Sequence, residues 1–149
     1  MVKAVMADVR HLREGAAQRD ELYKALMRVE QALASSSKRA GWPADVAAAL
    51  ADLRQRFDVH IDVTEREGGA YDQILEAAPR LTHAVQAMQA EHAEISDAID
   101  DALGAMQGTP DPGDVRESLT HLLTSLVRHR QRGADLLYEA YEVDVGALD

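Results

Sequence analysis

Apolar residues recur at steps of three and four along four long stretches of this chain, and a stripe of that period has to be buried against another helix. The first stretch carries Val5, Val9, Leu12, Ala16, Leu22, Leu26, Val29 and Leu33, with Arg19 standing where the stripe should continue. The second carries Val46, Leu50, Leu53, Phe57, His60 and Thr64. The third carries Leu81, Val85, Met88, His92, Ile95, Ile99, Ala102 and Met106, and the fourth Val115, Leu119, Leu122, Leu126, His129, Gly133 and Leu136. Breakers lie between them: Ser35 to Pro43, with Pro43 suited to a first helical turn, the weaker pair Gly68 and Gly69 with Pro79 as a helix opener, and Gln107 to Gly113 with Asp114 as a helix cap. Helices of about 25 to 30 residues would each be about 40 Å long, and short connections force antiparallel neighbours. The expected fold is an all-α, up-down-up-down antiparallel four-helix bundle forming one domain over residues 1–149, with a short acidic tail at about 142–149.

Composition agrees with that class. The chain is 46% apolar but only 4% aromatic, so its core is aliphatic, with few of the residues that strands favour. The absence of cysteine removes disulfides, thiolate ligands and cysteine nucleophiles together. A net charge of -10, with arginines scattered among acids, argues against a nucleic-acid backbone or an anionic membrane surface as partner. No stretch approaches the ~20 apolar residues of a membrane span, and the N-terminus lacks an apolar export signal, so a cytoplasmic location is expected. Neither a phosphate loop nor a nucleophile elbow is present, so nothing supports hydrolase or transferase activity.

Of the six histidines, His60, His92 and His129 fall on the apolar stripes of three different helices, whereas His11, His83 and His121 are placed as surface or rim residues. A single seam histidine is ordinarily a core residue satisfied by one hydrogen bond. Three on three helices point to a metal, a polar network or core water, because an unpaired imidazole is costly to bury. Their heights agree. His92 lies about 15 residues before the last loop and His129 about 15 after it, while Arg19 and His60 match across the first loop to within roughly 3 Å.

The segment from Phe57 to Glu65, the pair Glu91 and His92, and His129 resemble the hemerythrin-like pattern, and the resemblance extends over most of the chain. It implies the hemerythrin-type four-helix bundle and a centre of two non-haem irons joined by carboxylates, which binds dioxygen or senses oxygen, iron or redox state. Three positions depart from the pattern. Arg19 stands at the first-helix histidine, Thr64 at the carboxylate four residues after His60, and Gly133 at the carboxylate four residues after His129, although Glu65 and Asp135 lie nearby. Two close irons need anionic bridges, and an arginine cannot coordinate. A guanidinium about 5 Å from a divalent ion would be repelled by roughly 6 to 7 kcal/mol at an effective dielectric near 20.

Three readings of the cluster follow, in this order. Arg19 turns inward, replaces the metal's charge and pairs with Glu65, leaving no cofactor; or Arg19 turns outward and His60, His92 and His129 hold a single iron or zinc ion, with Glu65 or water completing the set; or nearby acids rescue a di-iron site. Thr64, Glu91, Gly133 and Asp135 are expected around the cluster, with Gly133 leaving room for a large neighbour such as Arg19. The functional expectation is a non-enzymatic hemerythrin-like binding, sensing or interaction module with reduced or lost metal binding. The alternative is a non-haem iron protein that binds or senses dioxygen, peroxide or nitric oxide. Tyr71 is expected to pack beside a turn after Gly68 and Gly69. The tail, where Tyr141, Val143 and Val145 alternate with acids, is expected to pack on its own bundle, with docking to a protein partner as the alternative.

Overall fold

A computed structural model describes the backbone of residues 2–143 and the side chains of residues 15–141. Four long helices are present: α1 (Val2–Ala34), α2 (Trp42–Glu65), α4 (Thr82–Met106) and α5 (Pro112–Tyr138). A short helix, α3 (Ala70–Ala77), and a 3-10 turn at Pro79–Leu81 connect α2 to α4. Helix α1 packs on α2, α2 on α4 and α4 on α5, and α5 closes against α1. This is the antiparallel four-helix bundle that the stripes require.

The stripes are the core. Val29, Val46, Leu50, Leu53, Phe57 and Ile99 are completely buried. Trp42 begins α2, donates its indole N–H to the Ala32 carbonyl at 3.1 Å, and lies under the Arg116 guanidinium. Arg116 also donates to the Leu33 and Ser35 carbonyls, so a side chain from α5 satisfies acceptors that the end of α1 leaves without helical partners. Ion pairs cross between helices on the surface, Arg28 with Asp52 at 2.6 Å and Arg54 with Asp100 at 2.8 Å. Exposed pairs of this kind are each worth about 0–1 kcal/mol, so burial and not surface charge holds the bundle.

Several local expectations change. Asp111, not Asp114, caps α5: its carboxylate accepts from the Asp114 N–H at 3.2 Å, because Pro112 has no N–H to lose and starts the helix one step after Asp111. Pro79 opens the 3-10 turn, and α4 begins after it. The stretch after Gly68 and Gly69 is not a simple turn. Gly68 has φ 73°, a region that side chains disfavour, and a Cβ on Gly69 would come within 2.7 Å of the Val63 carbonyl oxygen. This tight reversal folds α3 back against the end of α2, which buries Tyr71 and Ile74. Ala16 is exposed, so the stripe of α1 leaves the core above Leu22, and the side chains of His11, Val5, Val9 and Leu12 lie outside the described residues. Beyond α5 the backbone continues as a π-helical turn at Glu139–Val143. Residues 144–149 also lie outside the described residues.

Candidate metal centre

Two apolar clusters fill the bundle. One runs from Leu26 and Trp42 to Leu126, and the other joins Tyr71, Ile74, Val85, Met88 and Leu136. Between them lies a polar layer. It contains His92 and His129, both buried, and His60, which is partly buried. Each occupies its seam position for the same reason as its apolar neighbours: the 3.6-residue period turns it toward the axis. His83 and His121 are exposed, as their positions off the seams require.

The three rings meet through the same atom. His60 Nε2 lies 3.2 Å from His129 Nε2, and His92 Nε2 lies 3.1 Å from His129 Nε2. Phe57 forms one wall, stacked on His60 at 5.6 Å between centroids and edge-on to His92 and His129. One nitrogen of each ring points inward.

The other nitrogens face oxygen acceptors. His60 Nδ1 meets Gln18 Oε1 at 3.2 Å. His92 Nδ1 and His129 Nδ1 are buried without a well-formed hydrogen bond, and their nearest acceptors are the carboxylates of Glu65 and Glu91, each at 3.5 Å. A proton on Nδ1, the side of each ring that faces Gln18, Glu65 or Glu91, leaves the three Nε2 lone pairs directed at one another. Lone pairs at 3.1–3.2 Å repel unless a cation or proton lies among them. Carboxylate or carbonyl behind the ring and bare nitrogen in front is the usual arrangement around a histidine-bound metal.

The electrostatics agree. Burial, reinforced by the neighbouring imidazoles and by Arg19, lowers the His60 pKa to about 3. Burial and His129 lower that of His92 to about 4. Burial also lowers His129, against the opposing attraction of Glu91. The rings are therefore neutral at neutral pH, the form that coordinates. Burial raises the Glu65 carboxyl, and it raises the Tyr71 hydroxyl against a smaller opposing effect of Thr64.

These donors fit one ion and do not fit two. Among the described residues, His60, His92 and His129 form the group whose ligand atoms all lie within 4.8 Å of one another. Bridging carboxylates are absent from it. Thr64 turns its hydroxyl back to the His60 and Ile61 carbonyls at 2.8 and 3.1 Å. Asp135 is exposed and accepts from Gln131 at 3.0 Å, away from the layer. Glu65 and Glu91 face the backs of the rings, so Glu65 sits where it would orient His92 instead of completing a ligand set.

Arg19 is placed differently from the inward residue that the stripe of α1 suggested. It is exposed, and its guanidinium lies back along its own helix, about 3.4 Å from where a Gly15 side chain would begin. It makes no hydrogen bond or ion pair with Glu65 or the three imidazoles among the described contacts. Gln18 reaches the layer in its place. The step of four from Leu26 to Leu22 continues to Gln18, whereas a step of three gives Arg19, and both lie within the helical period. Beside Gly133 stands Met88, whose terminal carbon would be in ordinary contact with an added Cβ at 3.7 Å, and no Arg19 atom comes within 4 Å of that position. Tyr71 also reaches the layer: its hydroxyl lies 3.2 Å from His92 Nε2, with its ring stacked on His92 at 5.7 Å between centroids. Nothing in the stripe pattern signals it, because α3 lies outside the four seams.

A cavity of about 590 Å³ adjoins His60 and His129, lined mainly by apolar side chains that include Leu22, Val63, Ile74 and Met88. No helix among the described residues is long and apolar enough to cross a membrane. No curated protein and no solved structure gave a significant match. The family model of the hemerythrin HHE cation-binding domain matches residues 2–141, nearly the whole chain, and the chain belongs to that family.

Proposed function

We propose that this chain is a hemerythrin-type binding or sensing module with a reduced centre, in which His60, His92 and His129 hold a single iron or zinc ion. The convergence of three Nε2 atoms, each backed by an acceptor at Nδ1, carries this reading. Bound there, the ion would supply a Lewis-acidic centre with coordination positions left open by three protein ligands. Arg19 is exposed, so solvent screens its repulsion of the ion, although its charge still contributes to lowering the His60 pKa.

What supports a sensing or binding role is the set of elements that the ligands would join. His60 is on α2, His92 on α4 and His129 on α5, so one ion ties three helices together. Occupancy then becomes bundle stability: with free ion about 100-fold above Kd, the folded state gains about 2.7 kcal/mol. The apolar cavity beside His60 and His129 favours one second reading, a non-haem iron protein that takes up dioxygen, peroxide or nitric oxide at an open position.

Metal titration with elemental analysis tests the primary reading. The expected result is one equivalent of Fe(II) or Zn(II) per chain, a higher unfolding temperature with metal, and loss of both in His92→Ala. Two tightly held ions per chain, or none, would sink it. Exposure of the ferrous protein to nitric oxide separates the second reading, which requires a change in the optical or electron paramagnetic resonance spectrum.

A further inference from the structure

We infer that Tyr71 is the fourth protein donor of this centre, making it a site of three imidazoles and one phenolate suited to ferric iron. The inference rests on the single-ion reading above and adds a ligand that the family match does not assign.

Tyr71 is buried, and its oxygen is on the inner side of the layer: the hydroxyl is 3.2 Å from His92 Nε2, the atom that also meets His129 Nε2 at 3.1 Å. Four donor atoms, one oxygen and three nitrogens, are thus linked by successive contacts of 3.1–3.2 Å. The other oxygens near the layer are differently disposed. Glu65 and Glu91 stand behind the rings, Gln18 is engaged by His60 Nδ1, and the Thr64 hydroxyl is turned to its own helix. Among the described residues, Tyr71 is the ionisable oxygen acid on the Nε2 side.

Charge then selects the ion. Three neutral imidazoles leave a trivalent cation wholly uncompensated at the first layer of ligands, and a bound cation promotes ionisation of an adjacent acidic oxygen. When the iron–oxygen bond forms, the phenolic O–H bond breaks and its proton passes to solvent; the iron stays ferric, so no electron is transferred. In the ion's absence the same hydroxyl donates to the His92 lone pair, so the donor is held in place before the ion arrives. The backbone supports this placement. The left-handed Gly68 and the tight approach at Gly69 fold α3 beneath α2, and Ile74, one turn beyond Tyr71, anchors it in the core.

The experiment is to load the full chain with ferric citrate and, separately, with Zn(II). The expected ferric protein has a visible phenolate-to-iron absorption band with tyrosinate ring modes in its resonance Raman spectrum. Tyr71→Phe should lose the band and bind ferric iron at least about tenfold more weakly, yet still take one equivalent of Zn(II), while Tyr23→Phe keeps the band. One bound iron without the band in the wild type, or a band that survives Tyr71→Phe, would overturn the Tyr71 assignment alone. Uptake of neither ion would overturn the single-ion reading and this one together. Should Tyr71→Phe fail to fold, the other tyrosines decide: tyrosinate modes that persist in Tyr23→Phe, Tyr138→Phe and Tyr141→Phe uphold the assignment, and their absence from the wild type removes it.

Discussion

The Glu91 carboxylate stands 3.5 Å from Nδ1 of His129, behind the ring whose Nε2 faces His60 and His92. Its second oxygen is held by Arg132 at 2.8 Å. The carboxylate is therefore fixed by one helix position and fixes another, and the ring it backs sits at the centre of the cluster.

Replacing that carboxylate should weaken the centre without removing a ligand. Glu91→Gln is expected to lower metal affinity by about 10- to 100-fold while leaving one ion per chain at saturation. Competition titration against a chelator reads the change. Unaltered affinity would mean that Glu91 neither orients His129 nor raises its basicity.

Arg19 distinguishes the outward arrangement from the inward one. Since its side chain is exposed and Gln18 occupies the layer, Arg19→His should change Zn(II) affinity by less than about threefold, the modest effect of an exposed charge. A large gain would show that the guanidinium blocks the centre in solution. A calorimetric titration of both proteins is sufficient.

Stability of the metal-free chain should fall as the pH is lowered from 7 to 5. Folding lowers the pKa of His60 to about 3 and of His92 to about 4, and it lowers His129, whereas an unfolded histidine titrates near 6.5. Below about pH 6.5 the unfolded chain therefore takes up protons that the folded chain refuses, and stability drops until the folded pKa values are reached. Glu65, raised by burial, acts in the opposite sense but is one group against three. Urea unfolding with a chelator present, followed between pH 7 and 5, gives the sign; a midpoint that rises on acidification would contradict it.

Phe57 couples the core to the centre. Its ring is completely buried and touches all three imidazoles, so Phe57→Ala is expected to cost about 3–5 kcal/mol and to loosen the cluster it supports. Phe57→Leu should be milder in both respects. Denaturant melts and Zn(II) titrations of the two variants check this, and a Phe57→Ala protein of unchanged stability would show that the wall repacks.

The stripes alone determined the four long helices, their antiparallel packing and the arrival of His60, His92 and His129 in one layer. Helical period and loop length are local properties, and each seam residue carries its own direction. Tertiary structure decided what surrounds those histidines. Whether Arg19 or Gln18 enters the layer depends on a rotation of α1 smaller than the width of its stripe, and packing sets that rotation, not periodicity. Tyr71 arrives through a reversal at Gly68 and Gly69 whose outcome depends on what α3 finds to pack against. Glu65 and Glu91 are near the cluster by sequence, but only the assembled bundle puts them behind the rings, since a carboxylate's role is fixed by which ring nitrogen it meets across a helix interface.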